Sequence, residues 1–257
     1  MGVEPQGPPP TYPRRSLMVR AEGLKLLIEK FGGSYSRLLG LEPLSGERQL
    51  FQWFLASILF GAPISEKAAM KTFRLFQAEG LDAPKKILKA GWDRLVELLD
   101  AGGYTRYDFK TADKLLEMAG NLEKLYGGSL LKLHEEAENA VDLENRLMKL
   151  AKGIGPTTVS IFLREAWEAL PKAEPLPSAY EILAASNLNI FTLKSRDRAA
   201  LKKALARLVE VWEKAGKPGT LADLRAALLR LGRDYCRKHR CSQCPVKAFC
   251  RVGLGHL

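Results

Sequence analysis

The four cysteines of the chain, Cys236, Cys241, Cys244 and Cys250, all fall within fifteen residues, CRKHRCSQCPVKAFC, and the 235 residues before them hold none. This bunching constrains the fold more than any other feature. Gaps of C-x4-C-x2-C-x5-C let one loop bring four thiols to one place, and the usual reason is a metal centre. Zinc modules most often offer two separated C-x-x-C knuckles, each on its own turn. Here one knuckle stands between two outlying cysteines, a pattern nearer to iron–sulfur ligation than to a zinc ribbon. Zinc stays open as the alternative. Two disulfides or four inert thiols are disfavoured, since nothing points to an oxidising compartment. His239 lies in the first gap and could replace a cysteine, yet its neighbours Arg237, Lys238 and Arg240 read as an exposed polar loop.

Charge narrows the partners. Among 257 residues, 40 Lys and Arg face 29 Asp and Glu, a formal net charge of +11. Such a surplus favours a polyanion, because phosphates neutralised by Lys and Arg release their counterions. A basic protein without such a partner is the weaker alternative. No apolar run reaches the roughly 18 residues of a membrane span, and the N-terminus lacks the basic-then-apolar pattern of a secretory signal. A cytoplasmic, reducing setting is therefore expected. The length allows one large domain or two small ones.

Residues 1–15, MGVEPQGPPPTYPRR, hold five prolines and no core pattern, and are expected to form a disordered or loosely docked arm. From Leu17 onward apolar residues recur at helical spacing. Leu24, Leu27, Ile28 and Phe31 mark a first helix, ended by Gly32 and Gly33. Leu50, Phe51, Phe54, Leu55, Ile58 and Leu59 form a second, apolar enough to require burial. Asp108 and Asp142 stand where they can cap two later helices, and Asp197 another that closes at Gly216 and Pro218. Thr220 with Asp223 resembles a capping box, opening a helix that leads straight into Cys236. No alternating β-branched run of a strand's length occurs. The expected fold class is all-α, with about ten helices.

A second motif is the segment Leu150-Ala-Lys-Gly-Ile-Gly-Pro-Thr-Thr-Val-Ser-Ile-Phe-Leu163. Gly153 and Gly155 allow a tight turn between helices, and Pro156 sits in the first turn of the next one, where proline is favoured. The hairpin would offer backbone N–H groups at a positive helix end, a ready phosphate site. Thr157 and Thr158 add hydroxyls, and Lys152 a charge. An ordinary helix-packing corner is the plainer alternative for this motif taken alone.

Together these stretches resemble the endonuclease III-like branch of the helix-hairpin-helix DNA glycosylase (HhH-GPD) superfamily. GIGPTTVSIFL, Gly153 to Leu163, resembles the family hairpin that grips the DNA backbone. GGYTRYDFKTADKLLEMA, Gly102 to Ala119, resembles its glycine–tyrosine turn and Lys-x-Ala helix, here Lys110 to Ala112. The cysteine block resembles the family's C-x6-C-x2-C-x5-C ligands, with the first gap shortened. The resemblance spans roughly residues 17–251 and implies a [4Fe–4S] cluster held by Cys236, Cys241, Cys244 and Cys250. It implies two lobes with DNA between them: a six-helix barrel over residues 44–167, and a cluster lobe joining 16–43 to 168–257. Lys152, Gly153, Gly155, Thr157, Thr158, Arg237, Lys238 and Arg240 are the implied DNA contacts. The implied partner is double-stranded DNA, damaged or distorted, bound by a monomer in the nucleoid.

The chemistry of the family does not carry over. Bifunctional members place a lysine two residues beyond the second hairpin glycine, to form an imine with the sugar; here that position is Thr157, and a hydroxyl cannot do so. The family aspartate at the start of the following helix corresponds to Pro175 or Pro177 in EPLPSAY, depending on how the helix start at Ser178 is matched. Glu174 is the nearby acid. The expectation is lesion recognition with altered or absent glycosylase activity and no standard lyase. The alternative is a monofunctional glycosylase using Glu174. The family's intercalating segment would fall near Leu59, Phe60 and Gly61, where an apolar wedge could open a base stack.

Overall fold

The computed structural model describes residues 21–253. The expected N-terminal arm, residues 1–15, lies outside the described residues. Helical periodicity is realised throughout: the described residues form twelve α-helices and no strand. They are α1 (Ala21–Phe31), α2 (Tyr35–Leu38), α3 (Glu47–Phe60), α4 (Glu66–Ala78), α5 (Pro84–Gly102) and α6 (Asp108–Tyr126). There follow α7 (Leu130–Glu136), α8 (Ala140–Met148), α9 (Pro156–Ala166), α10 (Ala179–Asn187), α11 (Arg198–Lys214) and α12 (Leu221–Leu231). No helix among the described residues is long and apolar enough to cross a membrane.

Side-chain caps set many of the boundaries. Ser65, Asp197 and Thr220 each accept a hydrogen bond from a backbone amide in the first turn of their helix, satisfying donors that have no partner inside the helix. Ser178 with Glu181, and Thr220 with Asp223, form reciprocal capping boxes. Two expected caps differ. Asn139 caps α8, and Asp142 sits at its third position, where its carboxylate accepts from the Glu138 amide. Asp108 likewise enters the first turn of α6 behind Tyr107. An acid in the first turn still meets the positive end of the helix, so the sequence signal marks the helix start to within one residue at Asp108 and three at Asp142.

Two apolar cores result. The first is filled from α2 to α9 and centres on Trp53, Phe54, Phe73, Phe76 and Phe162. Beyond its polar first turn, α3 is mostly apolar and is buried on all sides from Leu50 to Leu59, as such a helix must be. Its Trp53 indole donates to the Phe162 carbonyl of α9 at 3.0 Å, and the Tyr104 hydroxyl donates to the Leu59 carbonyl at 2.6 Å. The second core joins Leu24 and Leu27 of α1 to Ala184, Leu208, Leu224 and Leu228, with Val246 and Cys250 from the tail. The crossing points differ from the expected limits of 44 and 167. Tyr35, Leu39 and Leu41 already pack in the first core, and Leu170 and Ala173 still do.

A strap, Ser34–Ser36, joins the cores. The Ser34 amide donates to Asp223 of α12 at 2.8 Å, while the Tyr35 and Ser36 amides donate to Glu165 of α9 at 3.0 and 2.8 Å. Nearby, Arg225 and Glu181 form an ion pair of 2.7 Å with side chains 1% and 0% exposed. Burial opposes ionisation of Glu181, but Arg225 and Arg164 outweigh it and hold the carboxyl below its ordinary value. Arg225→Met should strand that carboxylate and cost about 3–5 kcal/mol, read as lost unfolding free energy in urea. Glu181→Gln should be most damaging near neutral pH. A depressed carboxyl contributes above its unfolded value and loses that contribution as pH falls through the folded one, so the gap to wild type should narrow below about pH 4.

Candidate functional site

The cysteine cavity is built by the exit from α12. Its last turn widens into a π-helical turn, Gly232–Cys236, with the Arg237 amide donating to the Gly232 carbonyl at 2.9 Å. Gly232 faces the Tyr180 carbonyl of α10 so closely that a Cβ would collide with it. This approach delivers Cys236 against α10. The loop then reverses through His239 at φ +53°, and the Arg240 amide returns to the Tyr235 carbonyl at 3.0 Å. All four cysteines line one cavity, walled by Leu188, Leu231, Tyr235 and Val246; His239 is exposed and does not line it. Burial pushes the Cys236 thiol up to about 11, and Cys250, Cys244 and Cys241 add to the shift. Burial raises Cys244 too. Among the described residues, no three His, Cys, Asp or Glu side chains converge closely enough to hold a single metal ion.

The hairpin is present between α8 and α9. Gly153 adopts φ +88°, a left-handed conformation open to glycine at little cost. Gly155 caps α9 and Pro156 opens it. Among the described residues the amides of Gly155 and Thr157 have no partner within the chain, but the Lys152 amide donates to Glu117 of α6 at 3.0 Å. One of the expected amides is thus already occupied by a carboxylate. Lys152, Gly153 and Thr157 are exposed. Thr158 is different: it is 4% exposed and packs against Gly61 at the end of α3. Its place on the helix turns it into the core, so it offers no surface hydroxyl.

Between the cores lies a cavity of about 120 Å³, lined by Tyr35, Phe60, Ile64, Glu66, Ala69, Ile161, Arg164, Leu229 and Arg233. Every boundary element contributes: the strap, the α3–α4 turn, α9 and α12. The Tyr35 hydroxyl meets Glu66 at 3.2 Å, and Arg233 meets the same carboxylate oxygen at 3.0 Å. The Tyr35 ring lies beneath Arg230 at 4.1 Å. A wider basic groove lined by Lys30, Arg230, Lys238 and Arg240 adjoins this cavity and shares Glu66 with it. Of the expected wedge residues, Leu59 is fully buried and Gly61 is packed under Thr158. Phe60 alone reaches the cavity, edge-on to Tyr35 at 5.3 Å. Tyr35, Glu66, Arg164 and Arg233 were not singled out by sequence motifs. The available signal was the pair Arg164-Glu165 inside the apolar run Val159–Ala166.

Glu174 is elsewhere. It shares a cavity with Pro156, Ser160, Pro175 and Pro177, and its carboxylate is held by Lys202 at 2.6 Å and Arg198 at 3.0 Å. The Lys202 contact above all, with Arg198, keeps it below its ordinary value. Arg198 also bridges to Glu144. Arg237 donates to the Tyr180 hydroxyl at 2.6 Å, two residues beyond Ser178, which borders the Glu174 cavity.

No family model and no curated protein matches the sequence. Solved structures do match the fold. One is a trapped endonuclease III–DNA covalent intermediate (estranged-adenine complex), 16% identical over 93% of this chain and 99% of that one, TM-score 0.52. Another is a thermostable thymine-DNA glycosylase, 16% identical over 91% and 98%, TM-score 0.52. A third is the H. pylori 3-methyladenine DNA glycosylase MagIII bound to 1,N6-ethenoadenine, 18% identical over 85% and 97%, TM-score 0.52. The chain therefore has the all-helical fold of the endonuclease III-like DNA glycosylases.

Gly232 offers a mechanical test of the cysteine cavity. Gly232→Ala should force α10 and α12 apart and destabilise the protein by about 1–3 kcal/mol, measured by thermal unfolding. An unchanged melting temperature would show that the close approach to Tyr180 is not needed.

Proposed function

We propose that this chain is a DNA-binding protein of the base-excision-repair type, holding a [4Fe–4S] cluster and receiving an extruded nucleotide between its lobes. The observation that carries the reading is the cavity between the two cores, with an apolar floor and arginine walls, opening beside a basic groove. Base chemistry on duplex DNA requires the base to leave the stack and enter such a pocket. Phe60 stands at the cavity edge as the remaining candidate wedge. Lys152, Gly153, Gly155 and Thr157 of the hairpin, with Arg237, Lys238 and Arg240 of the cysteine loop, are the proposed backbone contacts, joined by Lys30 of the groove. The partner is damaged or distorted duplex DNA, and the protein acts as a monomer in the nucleoid.

The cluster fits the donor set. Four cysteines surround one apolar-walled cavity without converging on a point, as suits a four-metal group whose ligands attach at separate corners. The four side chains would serve as thiolates, and the group would supply a cross-link that ties the loop at four points. Cys236, Cys241, Cys244 and Cys250 would hold it, fixing the intervening Arg237–Arg240 segment towards the groove. Standard lyase chemistry is absent from the proposal because Thr157 cannot form an imine. Glu174 is ill suited as a base, being engaged by two cations.

A second reading, an active monofunctional glycosylase, gains support from Glu66 rather than Glu174, because Glu66 lines the cavity between the cores. In that case Glu66→Gln should abolish base release from a panel of damaged duplexes while Glu174→Gln leaves it intact. The reverse pattern would remove Glu66 from consideration.

Anaerobically purified protein should be brown and carry about four irons per chain. A colourless protein with one zinc would overturn the cluster. Affinity for duplex DNA should fall steeply with salt, and Lys238→Ala and Arg240→Ala should each lower the magnitude of the log–log salt slope by about 1. A flat salt dependence would overturn the DNA reading.

A further inference from the structure

One cation in the cavity between the cores is not accounted for by the fold. Arg164 is 2% exposed, lines the cavity, and has no ion pair or hydrogen bond to its guanidinium among the described residues; its Nε is buried without a partner. Its one side-chain neighbour of note is the Tyr35 ring, 5.8 Å from the guanidinium carbon. The other arginines nearby each have an acceptor for at least one nitrogen, although Arg225 Nη1 and Arg230 Nη2 are also buried without a partner. Arg225 is bonded to Glu181, Arg233 to Asp234 and Glu66, and Arg230 to the carbonyls of Phe31, Gly32 and Gly33. Glu181 adds electrostatic compensation but takes its hydrogen bonds from Arg225 and the Ser178 amide. The adjoining Glu165 is consumed by the strap amides.

A guanidinium stays charged at any relevant pH and offers only donors. Buried without acceptors, it needs either waters or a ligand. The cavity, at about 120 Å³, exceeds the ~10–15 Å³ needed by one water, so solvent can serve it in the free protein. A ligand that displaces this solvent must supply acceptors of its own. The rest of the lining, Phe60, Ile64, Ala69, Ile161 and Leu229, suits the faces of a flat ring.

We propose that Arg164 is a specificity-determining residue, selecting bases that present carbonyl oxygens or a deprotonated ring nitrogen and excluding cationic, alkylated ones. The inference rests on the reading that an extruded base enters this cavity. A carbonyl-rich edge, of the kind left by deamination or oxidation, accepts charge-assisted hydrogen bonds from the fork. A ring carrying a fixed positive charge meets a like charge in a low-dielectric pocket and leaves the donors unpaired. Glu66 does not reverse this preference, because its charge is matched by the Arg233 ion pair on Oε2, which among the described residues leaves Arg164 as the cation of the cavity without a counter-charge bonded to it.

The test compares duplexes that differ at one nucleotide: uracil, xanthine, 2′-fluoro-stabilised 7-methylguanine, and a baseless tetrahydrofuran. Affinities are read by fluorescence anisotropy with full-length, metal-loaded protein, each relative to the tetrahydrofuran duplex for the same protein. Wild type should favour uracil or xanthine over 7-methylguanine by about 10-fold or more, the range of a good bidentate contact. Arg164→Met should bring the ratio towards one, and Arg164→Lys should leave it intermediate. Equal binding, or preference for 7-methylguanine, overturns the proposal even where Arg164→Met cannot be purified folded. A folded Arg164→Met that keeps the wild-type ratio overturns it as well. If the tetrahydrofuran duplex binds no better than undamaged DNA, the base-pocket reading itself has failed, and the proposal with it.

Discussion

Three consecutive backbone amides hold this molecule's two halves in register. Ser34 is bonded by Asp223 from one lobe, and Tyr35 and Ser36 by Glu165 from the other. Carboxylates accept from amides more strongly than carbonyls do, and here they do so inside a junction that excludes water. Asp223 is doubly committed, since it also closes the capping box of α12. Helix α12, the strap and the C-terminal turn of α9 are therefore tied to one another. The cavity between the cores takes its shape from that junction, because Tyr35, Arg164 and Leu229 each belong to one of its three parts.

The same junction concentrates charge where a plain core would have none. Arg225 with Glu181, Arg230 on three carbonyls and over Tyr35, and Arg233 with Glu66 and Asp234 all lie along it. Buried ion pairs add little net stability over apolar residues of similar size. Their value lies in direction: each fork must meet a particular acceptor, which excludes alternative ways of seating one lobe on the other. Arg164 follows none of this pattern. Among the described residues its guanidinium has no hydrogen bond or ion pair, only the Tyr35 ring and the field of Glu181, and that difference is what the proposed ligand contact rests on.

What was legible in the sequence was local. The cysteine gaps, the Gly-x-Gly-Pro turn, the helix start at Ser178 and the capping box at Thr220 each occupy a few residues, and the structure has the turn, the start and the cap where the motifs stand. Asp142 missed the cap because Asn139 serves the same unpaired amides, and Asp108 missed it by one position, entering the helix behind Tyr107, which makes no side-chain cap bond. Thr158 could not be read correctly, since a threonine in a first helical turn looks the same whether it faces solvent or Gly61. The cavity was invisible for a different reason. The strap's bonds join residues 130 and 189 positions apart, whereas periodicity is read over windows of about 11–18 residues. Arg164 and Glu165 broke an apolar helix visibly, but only tertiary packing tells which of the two is consumed.

The absent aspartate gains meaning from this arrangement. In the stretch from Glu174 to Glu181, both acids are taken: Glu174 by Lys202 and Arg198, Glu181 by Arg225. Pro175 and Pro177 lie between them and cannot ionise. A carboxylate free to stabilise a cationic sugar is therefore not merely shifted along the chain in this segment. Glu66, reaching in from the opposite lobe, is the acid that borders the cavity, and it too is hydrogen-bonded by Tyr35 and Arg233. A carboxylate oxygen that already accepts from an arginine and a phenol lends electrostatic support more readily than it takes a proton from water. Charge stabilisation, rather than a strong general base, is accordingly what such a pocket would supply. That fits an arginine-walled site suited to electron-poor, carbonyl-bearing bases.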